Sequence, residues 1–228
     1  ADDADDAAVR VCVRKRPIHR EETDAHEFDV VTAARDRLVA VHDARMHSDM
    51  RHMQMHHHEF VFDRVFSEAA DNDQVYEAAA RPLVRAAARP GGFSTVLMYG
   101  QTGSGKTFTM KAIYERAARE LFDAARARGG GARGAPLVTV SFFELAGDAC
   151  RDLLNGFAKA QLLSGADGSV HAFPLVEVAV ADAAALAAMI AHGFGVRPTA
   201  ATGVHDASSR SHAVLRVYVN EHVGGGDD

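Results

Sequence analysis

Tryptophan is absent from this chain, and cysteine occurs only twice in 228 residues, as Cys12 and Cys150. Two thiols cannot make a disulfide framework, which excludes the stapled class of small secreted domains and suits a reducing compartment. Cys12 alternates with polar neighbours and reads as a small buried thiol. No apolar run is long enough to span a bilayer, and no signal-peptide pattern is present. Basic residues are in deficit: 25 Lys and Arg against 31 Asp and Glu leave a net charge of −6 with the histidines neutral. That sign argues against broad nucleic-acid binding. No internal repeat is found. What is there is an apolar fraction of 47%, enough for one good-sized core or two small ones. Residues 1–8 read as an acidic tail, and residues 9–228 as the folded part.

One motif stands out. Gly100-Gln101-Thr102-Gly103-Ser104-Gly105-Lys106-Thr107 fills every fixed position of G-x-x-x-x-G-K-[ST]. The residues before it, Ser94-Thr95-Val96-Leu97-Met98-Tyr99, are apolar and partly β-branched, and read as a buried strand. Glycines let successive N–H groups curl toward one anion. Lys106 can reach the β- and γ-phosphates, the Thr107 hydroxyl can ligate Mg²⁺, and a following helix adds its positive end. The pattern predicts binding of a nucleoside triphosphate with Mg²⁺.

A second segment, Ser208-Ser209-Arg210-Ser211-His212, leads into Ala213-Val214-Leu215-Arg216-Val217-Tyr218-Val219, a strand by composition. Beside a phosphate loop, such a serine-rich turn is a candidate sensor. Hydroxyls suit Mg²⁺ and γ-phosphate oxygens, and an arginine suits a carboxylate latch.

Together these stretches resemble the kinesin motor family. The phosphate loop after Tyr99 is similar to that family's loop, and Ser208-Ser209-Arg210-Ser211-His212 to its first switch. Arg14-Lys15-Arg16-Pro17 is similar to the R-x-R-P element that lies against adenine. Ser141-Phe142-Phe143-Glu144, with Arg151-Asp152-Leu153-Leu154, resembles the family's next strand-turn-helix. The motifs occur in kinesin order from Val9 to Val219. The resemblance implies an α/β P-loop NTPase whose central sheet is mixed, largely parallel and flanked by helices on both faces. It implies ATP hydrolysis, with ATP or ADP and Mg²⁺ as ligands. Preference for ATP over GTP rests on this resemblance, since no guanine-specifying Asn-Lys-x-Asp occurs.

Carried over residue by residue, the resemblance makes Lys106, Ser208, Ser209 and Arg210 catalytic. Arg14, Arg16, Pro17 and Tyr76 fall on the nucleotide's adenine side. Gln101, Thr102, Gly103, Ser104, Gly105, Lys106 and Thr107 hold phosphate, with Mg²⁺ on Thr107 and Ser209. Phe108 either faces the base or packs in the core, and Tyr76 has the same two readings. Glu144 reads as a structural carboxylate awaiting an arginine. The implied partner is tubulin in microtubules, with neither nucleic acid nor membrane. The implied setting is the cytoplasmic cytoskeleton, spindle or flagellum included, with dimerisation through regions outside this chain.

Within the family, Val11-Cys12-Val13-Arg14-Lys15-Arg16-Pro17, Phe60-Val61-Phe62-Asp63 and Ala80-Arg81-Pro82-Leu83-Val84 look most like the microtubule-depolymerising kinesin-13 class. That class tips a long hairpin loop with Lys-Val-Asp, where this chain carries His47-Ser48-Asp49, the expected tubulin contact. A walking, transport-type kinesin is the alternative, with a short first loop and a neck after the motor. A module that holds nucleotide without hydrolysing it is another. The family's second switch, D-L-A-G-x-E, has no match after Val219, so Arg210 lacks the glutamate it is expected to meet. The motor domain is therefore expected to be incomplete at its C-terminus, short of a further strand beside the phosphate loop's own. The join Met110-Lys111, where relatives carry a glycine and a loop, is expected to mark a break.

The remaining pattern predicts a strand at Val9, Val11 and Val13, and a polar stretch over residues 38–58 read as a mobile long loop or hairpin. A strand starts at Phe60, and a helix opens at Asp71 with Val75, Ala79 and Leu83 on one face. Pro90-Gly91-Gly92 breaks the chain, a helix carries Ile113, Ala117, Leu121 and Ala124, and residues 129–134 form a turn. A buried strand spans residues 137–145, and an alanine-rich helix runs from Ala181 to a stop at Gly193. His42, His47, His52, His56, His57 and His58 crowd the 38–58 stretch. They read as a metal site, a pH-dependent cationic patch or a solvated loop touching tubulin.

Overall fold

The computed structural model describes residues 9–128, 137–197 and 211–220. The chain forms two compact units, Ala1–Ala80 and Arg81–Asp228.

In the first unit, β1 (Cys12–Arg14) pairs in parallel with β5 (Arg64–Phe66). Their short β-branched and aromatic runs bury Val65 and Phe66. Three further strands, β2 (Val31–Arg35), β3 (Leu38–Met46) and β4 (Met53–Val61), make an antiparallel meander. Of the two readings for residues 38–58, the hairpin forms. Phe60 and Val61 end β4 instead of opening a strand. Only the base of this hairpin is buried, at the successive residues Val39 and Ala40 on its two faces, while β4 is exposed throughout.

A five-residue helix, α1 (Arg20–Asp24), starts where Glu22 accepts the His19 N–H at 2.8 Å. Helix α2 (Asn72–Val75) has the predicted cap. The Asp71 carboxylate accepts the Gln74 N–H at 2.8 Å, and the Gln74 side chain accepts the Asp71 N–H at 3.1 Å. A π-turn, Tyr76–Ala80, follows. Its cause is Pro82, which has no N–H to give the carbonyl four residues back, that of Ala78. The Arg10 guanidinium donates to that carbonyl instead, at 3.4 Å. The extra residue in the turn shifts the inward face by one. Val75, Ala80 and Val84 are buried, where straight α-helical spacing had pointed to Val75, Ala79 and Leu83.

The second unit begins with α3 (Arg81–Ala87) and contains the long α4 (Lys106–Arg128). Helix α4 runs without interruption through Met110 and Lys111. Strand β6 (Leu137–Ala146) is the spine of the sheet. One of its edges is shared by β10 (Val178–Val180) and β7 (Ala149–Asp152), and its other edge is taken along its whole length by β11 (Ser211–Asn220). Beyond β7 come β8 (Ala158–Ser164) and β9 (Val170–Phe173). All these pairs are antiparallel, and β1–β5 is the parallel pair among the described residues. Residues 149–152 form β7 and not a helix: the two residues Gly147 and Asp148 turn β6 straight back on itself, and alternation puts Cys150 and Asp152 inward.

Alternation along β6 divides the core. Val138 and Val140 pack with Ala118 and Phe122 of α4, Val180, and Leu186 and Ile190 of α5 (Ala183–Val196). Phe143 joins Cys150 and Ala160 in a second cluster. Helix α5 starts where the Asp182 carboxylate accepts the Ala185 N–H at 2.7 Å. It passes through Gly193 and ends three residues later. Gly193 lies against Phe142, and a Cβ there would sit 2.2 Å from the ring's Cδ1. The glycine serves close packing, which explains why it does not stop the helix.

The expected strand at residues 94–99 does not form. Phe93, Leu97 and Tyr99 are 86%, 82% and 93% exposed. A strand requires ladder partners, and among the described residues none runs beside this segment. The predicted turn at 129–134 lies outside the described residues.

Candidate nucleotide site

Residues 100–105 form an open turn that feeds directly into α4 at Lys106. Gly103 and Gly105 have φ of +79° and +88°, a region that side-chain-bearing residues rarely adopt, so the curl depends on glycine at both. The turn is closed by the Ser104 N–H donating to Gln101 O at 3.2 Å and the Thr109 N–H to Gly105 O at 3.1 Å. The Lys106 ammonium folds back over the loop and donates to Gly100 O at 2.7 Å and Gln101 O at 2.8 Å. A cation therefore stands over the mouth of the turn, at the positive end of a 23-residue helix. Gln101, Thr102, Gly103 and Thr107 are exposed, with Ser104, Gly105 and Lys106 half-buried. This donor set, with a hydroxyl at Thr107, fits a polyphosphate carrying a hard divalent cation. Phe108 is 64% exposed, which removes its core reading.

Arg14, Arg16, Pro17 and Tyr76 belong to the first unit. The Arg14 guanidinium donates to Asn72 Oδ1 at 2.6 Å and Ala70 O at 3.0 Å, pinning the entry to α2. Burial pushes its pKa down, against the opposing charge of Asp71. Arg16 grips both oxygens of Glu22 and also donates to Pro17 O at 3.0 Å. That grip holds the Glu22 carboxyl down at about 2. Pro17 is exposed, whereas Tyr76 is buried within the π-turn.

Ser208, Ser209 and Arg210 lie outside the described residues. The described residues on either side of them converge on one buried carboxylate. Glu144, 4% exposed on β6, accepts from Arg197 Nε at 2.8 Å and from the Ser211 hydroxyl at 2.8 Å. Arg197 Nη2 lies 2.7 Å from Glu144 Oε1 and donates to Ser211 Oγ at 2.8 Å. The residue after α5 and the first residue of β11 thus share an anchor. The predicted arginine partner of Glu144 is Arg197, which motif reading missed because it stands outside every motif. Its signal is a lone arginine directly after an apolar helix.

His47, Ser48 and Asp49 sit at the tip of the β3–β4 hairpin. Asp49 organises that turn, accepting the N–H groups of Arg51 at 2.9 Å and His52 at 3.2 Å. The Arg51 N–H and the His52 ring hold its pKa below the usual carboxylate range. Among the described residues no group of three or more His, Cys, Asp or Glu has metal-holding geometry. No described helix is long and apolar enough to cross a membrane.

A family model described as the kinesin motor domain matches residues 14–226. The chain is 35% identical to the diatom spindle kinesin-1 of Cylindrotheca fusiformis over 95% of this chain and 34% of that protein. It is also 35% identical to the kinesin-like protein KIN-13B of Arabidopsis thaliana, over 96% of this chain and 31% of that one. To KIN-13A of Oryza sativa subsp. japonica it is 33% identical, over 95% and 26%. The chain thus spans about a third or less of the curated relatives it matches. Among solved structures, a fast kinesin superposes with a TM-score of 0.76 at 25% identity, covering 92% of this chain and 58% of that one. A KIF14 dimer in a two-heads-bound state, with AMP-PNP and a microtubule, gives 0.73 at 29% identity, covering 92% and 60%.

Proposed function

The chain belongs to the kinesin motor-domain family, and from that premise we propose that it binds ATP with Mg²⁺ on residues 100–107 and serves as the ATPase part of a microtubule-depolymerising motor. The observation that carries the nucleotide site is Lys106, held over a glycine curl at the start of α4. In this reading the N–H groups of residues 103–106 cradle the β-phosphate and the Lys106 ammonium swings from its two carbonyls onto phosphate oxygens. Mg²⁺, when bound, supplies charge neutralisation at the β- and γ-phosphates, and the Thr107 and Ser209 hydroxyls would hold it. Ser208 and Ser209 close on the γ-phosphate and orient the attacking water, while Arg210 awaits a carboxylate from a second switch. Arg14, Arg16 and Pro17 take the adenine side. Arg14 acts through the α2 entry that it holds, and the Glu144–Arg197–Ser211 anchor holds both ends of the sensor segment.

Depolymerisation, as against walking, is supported by the long hairpin with Asp49 at its tip and by the two KIN-13 relatives. His47, Ser48 and Asp49 are the proposed tubulin contacts. The chain covers 58% and 60% of the similar solved chains, and the polymer activity and the hydrolysis are proposed for the motor to which it belongs.

Lys106→Ala should weaken Mg-ADP binding by a few kcal/mol, because it removes a charge-assisted phosphate contact. Isothermal titration with unchanged ADP affinity would overturn the site. Ser209→Ala should spare Mg-ADP binding and lower ATP turnover, since ADP lacks the γ-phosphate that the sensor is proposed to meet. Equal losses of ADP affinity and turnover would make the segment a general phosphate clamp.

A further inference from the structure

The β3–β4 hairpin gathers six of the chain's 13 histidines, His42, His47, His52, His56, His57 and His58. They are placed by the register. Directly opposed residues share a face of the ribbon, and alternate residues return to it. One face carries His42 opposite His57, then Ala44 opposite Met55, then Met46 opposite Met53. The other carries Val41 opposite His58, Asp43 opposite His56, and Arg45 opposite Gln54. His47, Asp49 and His52 close the tip.

Each imidazole faces a stated partner. His52 Nδ1 lies 2.6 Å and His47 Nδ1 3.4 Å from the same oxygen of Asp49. His58 Nε2 lies 3.9 Å from Asp43, which Arg45 also holds at 2.6 Å. Arg45 and the charges of His58 and His56 keep the Asp43 carboxyl below the usual range. His42 Nδ1 meets His57 Nδ1 at 2.7 Å, and its Nε2 meets Thr32 Oγ1 of β2 at 2.8 Å. On the β2 side the charge that His42 acts on is Asp29, itself paired with Lys15 at 2.6 Å. Glu59 is opposite Ala40, and Arg51 adds a cation at the tip. The His42–His57 contact needs one donor and one acceptor, so it takes a single extra proton and breaks with a second.

Charge decides what this array can do. With imidazoles neutral, residues 38–61 hold two arginines against three carboxylates, a net −1. Four separate imidazoles plus one proton shared by the His42–His57 pair bring five charges, for a net +4. Imidazole is the side chain whose charge ordinarily changes between about pH 5 and 8. Protonation thus reverses the hairpin's sign, and its exposed rings present the new charge outward: His47, His52 and His58 are 44%, 76% and 53% exposed.

We propose that the β3–β4 hairpin is a proton-dependent docking surface for an acidic protein surface, the microtubule wall, gripping it more tightly as pH falls through the range of imidazole. This rests on the reading that the hairpin tip meets tubulin. The partner chemistry follows from the sign: an element that becomes cationic inside a chain of net −6 is complementary to an acidic surface that the rest of the chain repels. The exposed methionines Met46, Met53 and Met55 give the same ribbon an adaptable apolar face beside the charge.

The test is co-sedimentation of the 228-residue chain with stabilised microtubules at pH 6.2 and 7.4 and constant ionic strength, paralleled by binding to a polyglutamate peptide. About tenfold tighter binding at pH 6.2 is expected on both probes, as two or three newly charged exposed contacts provide. Replacing His47, His52, His56 and His58 together by Gln should remove the difference. His56→Arg with His58→Arg should bind tightly at both pH values, which shows that charge and not loss of fold is being read. Equal wild-type affinity at both pH values on both probes overturns the proton dependence and leaves the microtubule reading intact. A tenfold change on polyglutamate without microtubule binding at either pH overturns the microtubule reading alone. Binding to neither probe overturns both.

Discussion

Arg16 and Glu22 show how a motif residue can be engaged before any ligand arrives. Arg16 belongs to the R-x-R-P element, yet its guanidinium lies against both Glu22 oxygens. Glu22's folded value of about 2 lies below its ordinary 4.5. The pair's contribution to stability is therefore complete above about pH 4.5 and is lost as pH falls toward 2. Carboxyl-carbon NMR should place the Glu22 midpoint near 2, and Arg16→Ala should return it toward 4.5. An unchanged midpoint in the variant would show that the His19 N–H, and not Arg16, holds the carboxylate. Lys106 is pre-placed in the same sense: its ammonium already donates to two carbonyls, so binding phosphate exchanges acceptors instead of ordering a free side chain.

At the scale of elements, helix α5 rests on β6 through the missing side chain of Gly193. Gly193→Ala forces its Cβ into the Phe142 ring and should cost about 1–3 kcal/mol, read as a lower urea midpoint at unchanged slope. A neutral result would mean that α5 can slide on β6. This glycine also shows why some elements were illegible in sequence. A glycine at a helix end and one at a close approach look alike until the opposing ring is placed. The phosphate loop was legible because its chemistry is contiguous: eight residues carry their own turn, cation and helix start. So was the Asp71 cap, whose partners lie within three residues. Residues 94–99 misled for the opposite reason, since their strand composition was genuine but a strand is made by its neighbours. The shift to Ala80 and Val84 came from one absent N–H at Pro82. The sensor's anchor at Glu144 joins residues 53 and 67 positions apart in sequence, Arg197 and Ser211. No local pattern encodes that pairing, although a buried glutamate after Phe142-Phe143 did announce that an arginine must come from somewhere.

For the whole molecule, each of the two units carries its own set of motif residues. The first holds the R-x-R-P element and the hairpin, and the second holds the phosphate loop and the ends of the sensor. The second unit also leaves something open. Among the described residues β11 pairs with β6 alone. The outward amide donors and acceptors of this ten-residue strand therefore form, among the described residues, a row with no ladder partner. Such a row is a template. Any extended segment of suitable length can zip onto it, including the apolar 94–99 stretch of a second molecule. Concentrated solutions of this chain should thus grow oligomers by strand exchange, visible as a concentration-dependent shift in sedimentation velocity and as slow gain of thioflavin fluorescence. Monomeric behaviour of the 228-residue chain at millimolar concentration would mean that the row is shielded, and that the open side of β11 is no adhesive surface at all.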